Sequence, residues 1–170
     1  RGQDGSGYGI YAQRFNSQGT PLGGEFRVTT DTAGAQELPS VAMDSAGDFV
    51  IAWQSAGQDG SGYGIFAQRY SSAGAAEGSE FRVNSSTVGD QTIPSLAMDA
   101  AGDFIVAWQS YGLDGSKNGI EAQLYQASGA AEGSQFQVNT YTVGNQANPS
   151  AAMDSAGDFV ITWQSNGQDG

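Results

Sequence analysis

The chain repeats itself every 55 residues with no insertion or deletion. Asp4-Gly5-Ser6-Gly7-Tyr8-Gly9-Ile10 returns unchanged at 59–65, returns altered at 114–120, and opens once more at Asp169-Gly170. Pro39-Ser40, Met43-Asp44 and Trp53-Gln54-Ser55 recur in the same register, which puts the later tryptophans at Trp108 and Trp163. A 55-residue unit is too small to bury its own tryptophan, phenylalanine and methionine, so the copies must stack for any of them to be stable.

Within a copy the apolar pattern has a period of two, and glycine and serine punctuate it at short intervals. Ser40-Val41-Ala42-Met43 reads as a short strand and Ser45-Ala46-Gly47 as a tight turn. Residues 48–54 are apolar on both faces for most of their length, as expected of a strand covered on two sides. Residues 65–70 read as a third strand, and Glu80-Phe81-Arg82-Val83 alternates charged with apolar, the pattern of a strand with one wet face. Nothing has a helical period. Four antiparallel strands that grow more polar from the first pair to the last describe a β-propeller blade. The expected fold is therefore all-β, a β-propeller built from 55-residue four-stranded antiparallel blades, three blade-equivalents in one repeat domain spanning 1–170. Its phase gives a half blade at 1–30, blades at 39–84 and 94–139, and a half blade at 149–165.

Composition closes several chemistries. With no cysteine and no histidine, the chain cannot build a disulfide, a zinc finger, a thiolate nucleophile or a Ser-His-Asp triad. Eighteen acidic residues against six basic ones give a net charge of −12, which repels nucleic acid and anionic membranes. No stretch approaches the roughly 20 apolar residues of a membrane span, so neither nucleic acid binding nor membrane insertion is expected.

Pro-Ser-x-Ala-Met-Asp-x-Ala-Gly-Asp-Phe-x-x-x-Trp-Gln-Ser, followed by Gly-Ile-x-Ala-Gln and Phe-x-Val, resembles the repeats of very large secreted or surface-attached bacterial proteins. It is also similar in blade layout to sialidase-like propellers, in which a proline opens the inner strand and a tryptophan ends the second. The resemblance implies an extracellular or cell-surface location and a non-catalytic binding or structural module for adhesion, scaffolding or self-assembly, with a glycan or surface protein as partner. The alternative it implies is a glycoside hydrolase or lyase of sialidase-like layout, working through Asp, Glu and Tyr. The sialidase Asp-box is missing from the third hairpin, Asn16-Ser17-Gln18-Gly19-Thr20-Pro21, and Arg14 and Arg69 give way to Leu124. Those departures favour a protein that is not an enzyme. An active site should also concentrate unusual polar residues in one copy, whereas Leu113, Lys117, Asn118 and Glu121 read as ordinary drift.

Three constellations are candidates for a site. Asp4 and Ser6, Asp59 and Ser61, and Asp114 and Ser116 alternate oxygens ahead of a glycine, like the opening of an EF-hand-type calcium loop. The closing acidic ligand is absent, so loop capping by the aspartate competes with calcium as an explanation. The hairpins Asp44–Asp48, 99–103 and 154–158 are explained by turn chemistry. Gln36, Gln91 and Gln146, with Tyr8 and Tyr63, supply amides and rings suited to a sugar or peptide on the loop face. The competing reading has these glutamines satisfying buried backbone. Ten of the twelve aspartates fall on only three positions of the repeat, which organises the negative charge into bands. Because three blades are too few to close a ring, the chain is expected either to self-associate, six blades from a dimer or nine from a trimer, or to adjoin further repeats of a longer chain.

Overall fold

The computed structural model describes residues 7–168, and every regular element among them is a strand. β1 (Tyr11–Ala12) pairs with β2 (Phe26–Arg27) in a two-stranded sheet. A four-stranded antiparallel meander follows: β3 (Gln36–Met43), β4 (Phe49–Ala56), β5 (Tyr63–Tyr70) and β6 (Ala76–Arg82). A second meander repeats it 55 residues on: β7 (Gln91–Met98), β8 (Phe104–Tyr111), β9 (Asn118–Tyr125) and β10 (Ala131–Gln137). β11 (Gln146–Met153) and β12 (Phe159–Ser165) form the last, two-stranded sheet. The sheets do not close into a ring within the chain.

Each gap between successive sheets holds its own apolar cluster. Ile10, Val28, Phe49, Ile51, Trp53 and Phe66 fill the first. Val50, Ile65, Val83, Leu96, Phe104 and Trp108 fill the second. Ile105, Ala107 and Ala122 pack with Met153 and Ile161 in the third. β4 contributes Ile51 to one cluster and Val50 to the next, which is why its sequence lacks the polar face of an ordinary antiparallel strand. The outermost strands β6 and β10 are mostly exposed and correspondingly polar.

The first strand of each copy begins four residues before the expected Ser40, at Gln36. A register shift between Glu37 and Ser40 absorbs Pro39, which has no N–H to give the ladder. The residue before each proline, Leu38, Ile93 or Asn148, takes a φ of 52°, 54° or 54° to make the bulge. The hairpin carboxylates are engaged by backbone: Asp44 Oδ1 accepts from the N–H groups of Ala46 and Asp48 at 2.8 and 2.9 Å, and Asp99 and Asp154 repeat the pattern. Asp48 Oδ1 accepts from Ser72 N–H at 2.6 Å. Gln68 and Gln123 donate to the carbonyls around the register irregularity beside the outer strand, Gln68 to Arg69 at 2.9 Å and Gln123 to Leu124 at 2.9 Å.

Trp108 is fully buried, and its Nε1–H donates to Gln91 Oε1 at 2.9 Å. Trp108→Phe leaves that oxygen without a donor and is expected to cost about 1–3 kcal/mol beyond the change of ring volume. Combining it with Gln91→Met should give a double mutant stabler than the sum of the single changes by roughly 0.5–3 kcal/mol, measured by denaturant unfolding; strict additivity would show that the bond contributes nothing.

Candidate functional site

Asp4 and Ser6 lie outside the described residues. Asp59 and Asp114 each use one oxygen to close a turn, accepting from Ser61 N–H at 3.1 Å and Ser116 N–H at 3.0 Å. The second oxygen accepts from a buried amide, Asn84 Nδ2 at 3.1 Å and Asn139 Nδ2 at 3.3 Å. Asn84 and Asn139 in turn accept from the N–H groups of Ile65 and Ile120 at 2.7 and 2.6 Å, so each asparagine ties a glycine-rich loop to the strand that follows it. Sequence reading missed these two asparagines; the signal was a polar residue directly after the Phe-x-Val strand in the second and third copies. Ser116 Oγ donates to Gly144 O at 3.2 Å, and Ser61 is exposed. Among the described residues no group of three or more acidic side chains is placed to hold a metal. Each oxygen of Asp59 and Asp114 thus accepts one hydrogen bond.

The structure buries the three glutamines and leaves Tyr8 half-exposed. Gln36, Gln91 and Gln146 are 1%, 0% and 0% exposed, because the early start of β3, β7 and β11 puts them on strands instead of loops. Their amides donate to Ala33, Val88 and Val143 carbonyls at 2.8, 3.1 and 3.3 Å, which is the backbone-satisfying role. Tyr8 is half-exposed at the first sheet, where it and Gln36 line one surface groove. Tyr63 sits against Glu37, hydroxyl to Oε2 at 3.4 Å, and burial followed by the Glu37 charge raises its pKa.

Another group breaks the repeat. Glu121 occupies the position held by Tyr11 and Phe66 in the other copies, on β9 directly opposite Trp108. It is 6% exposed, the one buried glutamate of the chain. Its environment explains how a carboxyl survives there. Gln135 Nε2 donates to Glu121 Oε2 at 3.1 Å, and Gln135 Oε1 accepts from Ser85 N–H and Oγ–H at 2.9 and 2.8 Å across the gap between sheets. The equivalent of Gln135 in the preceding copy is Glu80, which accepts from Thr30 N–H at 2.8 Å in the same way. Keeping a glutamate at 135 would set two carboxylates together, so the substitutions at 121 and 135 compensate each other.

Burial pushes the Glu121 carboxyl above the usual carboxylate range; the Asp114 charge adds to the rise and the Gln135 hydrogen bond opposes it. Glu121, Gln123 and Tyr125 share one face of β9, since side chains two apart on a strand point the same way. Gln123 and Tyr125 line a groove of about 560 Å³ whose opposite wall carries Asp59, Arg82, Asn84 and Ser85. A carboxyl whose pKa is raised by burial, with a second acidic side chain within electrostatic reach, is a pairing suited to acid catalysis.

No family model matches the chain, and no curated protein matches it. Solved structures do. An endo-arabinase from Bacteroides thetaiotaomicron VPI-5482 is 16% identical with a TM-score of 0.51, covering 89% of this chain and 59% of its own. A thermostable family-43 glycoside hydrolase is 10% identical at 0.51, covering 93% and 62%, and an endo-1,4-beta-xylanase from the same Bacteroides is 12% identical at 0.50, covering 77% and 49%. The chain thus spans about half to three fifths of their length, and at these identities the likeness establishes a propeller-like all-β fold. The expectations of a non-catalytic binding module and of a protein that is not an enzyme are corrected by these neighbours, all three of which are glycoside hydrolases. Glu121, expected to be ordinary drift, is buried and accepts a hydrogen bond from Gln135.

A raised folded pKa has a defined consequence for stability. The contribution of Glu121 is complete below the ordinary glutamate range and is lost as pH rises through the folded pKa, because the buried group must then ionise or the fold must open. Glu121→Gln, which cannot ionise, should therefore gain stability relative to the parent as pH rises from about 4, measured as denaturation midpoints at several pH values. Parallel curves for the two proteins would show that Glu121 titrates as it does in the unfolded chain.

Proposed function

We propose that the chain carries a carbohydrate-hydrolysing site of glycoside hydrolase type, with Glu121 as the general acid and Asp114 as the second acidic residue. The observation that carries this reading is Glu121 itself, a buried acid that stands in one copy of an otherwise repeating interior. In glycoside hydrolysis one carboxylic acid protonates the departing glycosidic oxygen, and a second carboxylate meets the positive charge that develops at the anomeric carbon or activates the water that adds there. Burial raises the Glu121 pKa, which suits it to the first role, and Asp114, held by Ser116 N–H and Asn139 Nδ2, is the acidic side chain assigned to the second. The groove of about 560 Å³ lined by Gln123, Tyr125 and Arg82 lies within the usual range of roughly 300–1,000 Å³ for a ligand-sized site. A polymeric glycan substrate agrees with an extracellular or cell-surface location.

The glycans named for the structural neighbours, arabinan and xylan, are the first substrates to try. Reducing ends are expected to appear, at a rate that falls as pH rises through the folded pKa of Glu121, and Glu121→Gln should abolish them. Glu132→Gln, a change of an exposed glutamate on β10, should leave the rate unaltered. No release from a panel of arabinans, xylans and sialosides, or undiminished turnover by Glu121→Gln, would exclude the assignment.

A further inference from the structure

Glu121 is held by one amide, and that amide has a fixed orientation. Gln135 Oε1 lies 2.9 Å from the N–H nitrogen and 2.8 Å from the hydroxyl oxygen of Ser85. A backbone N–H can only donate, so the oxygen of the amide must face Ser85 and its NH2 group must face away from it. There Gln135 Nε2 donates to Glu121 Oε2 at 3.1 Å. Ser85 follows β6 and Gln135 lies on β10, so the bond is anchored in two successive four-stranded meanders. Glu121 Oε1 accepts no bond from any described residue and keeps contact with solvent. The preceding gap shows a carboxylate in the place of Gln135: Glu80 accepts from Thr30 N–H at 2.8 Å and from Gln58 Nε2 at 2.5 Å. It has no N–H to give, and the residue there equivalent to Glu121 is Phe66.

We infer that Gln135 is the positioning residue of Glu121, pinning Oε2 as the carbonyl oxygen of the protonated acid and leaving Oε1 to carry the proton that is transferred. The transfer step rests on the reading of Glu121 as general acid; the hold of Gln135 on Oε2 does not. As the glycosidic bond breaks, its electron pair goes to the departing oxygen, which takes the proton from Oε1 and leaves as a hydroxyl. Water adds its oxygen and one hydrogen at the anomeric carbon, and its other proton goes to solvent, from which Glu121 is reprotonated. Glu121 is charged for part of that cycle, and the Nε2–H group at Oε2 meets the charge when it forms. The same bond opposes the upward push of burial on the carboxyl, and the Asp114 charge adds to that push. The other charged and titratable groups around it are Lys117 in the loop before β9, Tyr125 farther along β9, and Asp59 and Arg82 across the groove.

Two readouts separate the hold from the chemistry. The first is the titration of the Glu121 carboxyl carbon by NMR, its resonance identified by its loss in Glu121→Gln, which needs no substrate. Gln135→Leu removes the donor and should move that titration upward by about one pH unit. Ser85→Ala, which leaves the backbone N–H in place, should move it less. Gln137→Leu, directly opposite Glu121 on β10 but with its amide donating to Asn139 O at 2.7 Å, should leave it unmoved. The second readout is the pH profile of reducing-end release from arabinan or xylan, whose fall at high pH should move in Gln135→Leu by the same amount as the titration. An unmoved titration in Gln135→Leu, an equal displacement in Gln137→Leu, or a pH profile that stays in place while the titration moves would overturn the proposal. A displaced titration in a protein that releases no reducing ends keeps Gln135 as the residue that holds Glu121 and removes the carbohydrate reading alone.

Discussion

A strand that is apolar on both faces needs a sheet on each side of it, and the rest of this molecule is arranged to meet that demand. β4 and β8 are such strands, and neither has anything to hide behind within its own copy. Trp53 and Trp108 are fully buried only because each lies between two successive sheets. Burial of a large apolar side chain stabilises by about 1.5–3 kcal/mol, and that gain is collected at the boundary between copies, so the copies form one cooperative stack. Where a boundary is missing, at β12 and β1, the same residue types face water.

Apolar contact is not directional, and polar bonds also cross the gaps between sheets, some of them repeated 55 residues on. Ser45 Oγ donates to Ala100 O at 2.7 Å, Ile93 N–H donates to Gln54 Oε1 at 3.1 Å, and Arg69 reaches Ser128 O at 2.7 Å while pairing with Glu77 at 2.7 Å. Arg14 makes the matching bond to Ala73 O one copy earlier. Tyr70 and Tyr125, stacked on Phe49 and Phe104 at 5.0 and 4.9 Å, reach Val28 and Val83 carbonyls across the same gaps. Their phenols are pushed up to about 12 chiefly by burial, which suits them to holding sheets and not to proton transfer.

Against that regularity Glu121 and Gln135 stand out as a matched pair of departures. A lone carboxyl facing Trp108 would be costly. The amide at 135 keeps the bridge to Ser85 that Glu80 makes to Thr30, and adds a donor that a glutamate lacks.

Much of the architecture was readable from residue order. The repeat, the strand-turn-strand pattern, the turn role of Asp44 and Asp48 and the core role of the first two tryptophans all follow from period and local chemistry. Three things did not. The strand start at Gln36 depends on a bulge that absorbs Pro39, and it moves three glutamines from a loop into the interior. The roles of Asn84 and Asn139 depend on the chain returning to a loop 25 residues earlier and to the strand that follows that loop. Glu121 looked like drift because a substitution carries no mark of burial, which is a property of the neighbouring sheet. The linear chain determined that copies must stack and which strands lie between others, because side-chain alternation and apolar content are local. Only the tertiary structure decided which carboxyl is desolvated, because that depends on what a different copy of the repeat brings within a few ångströms.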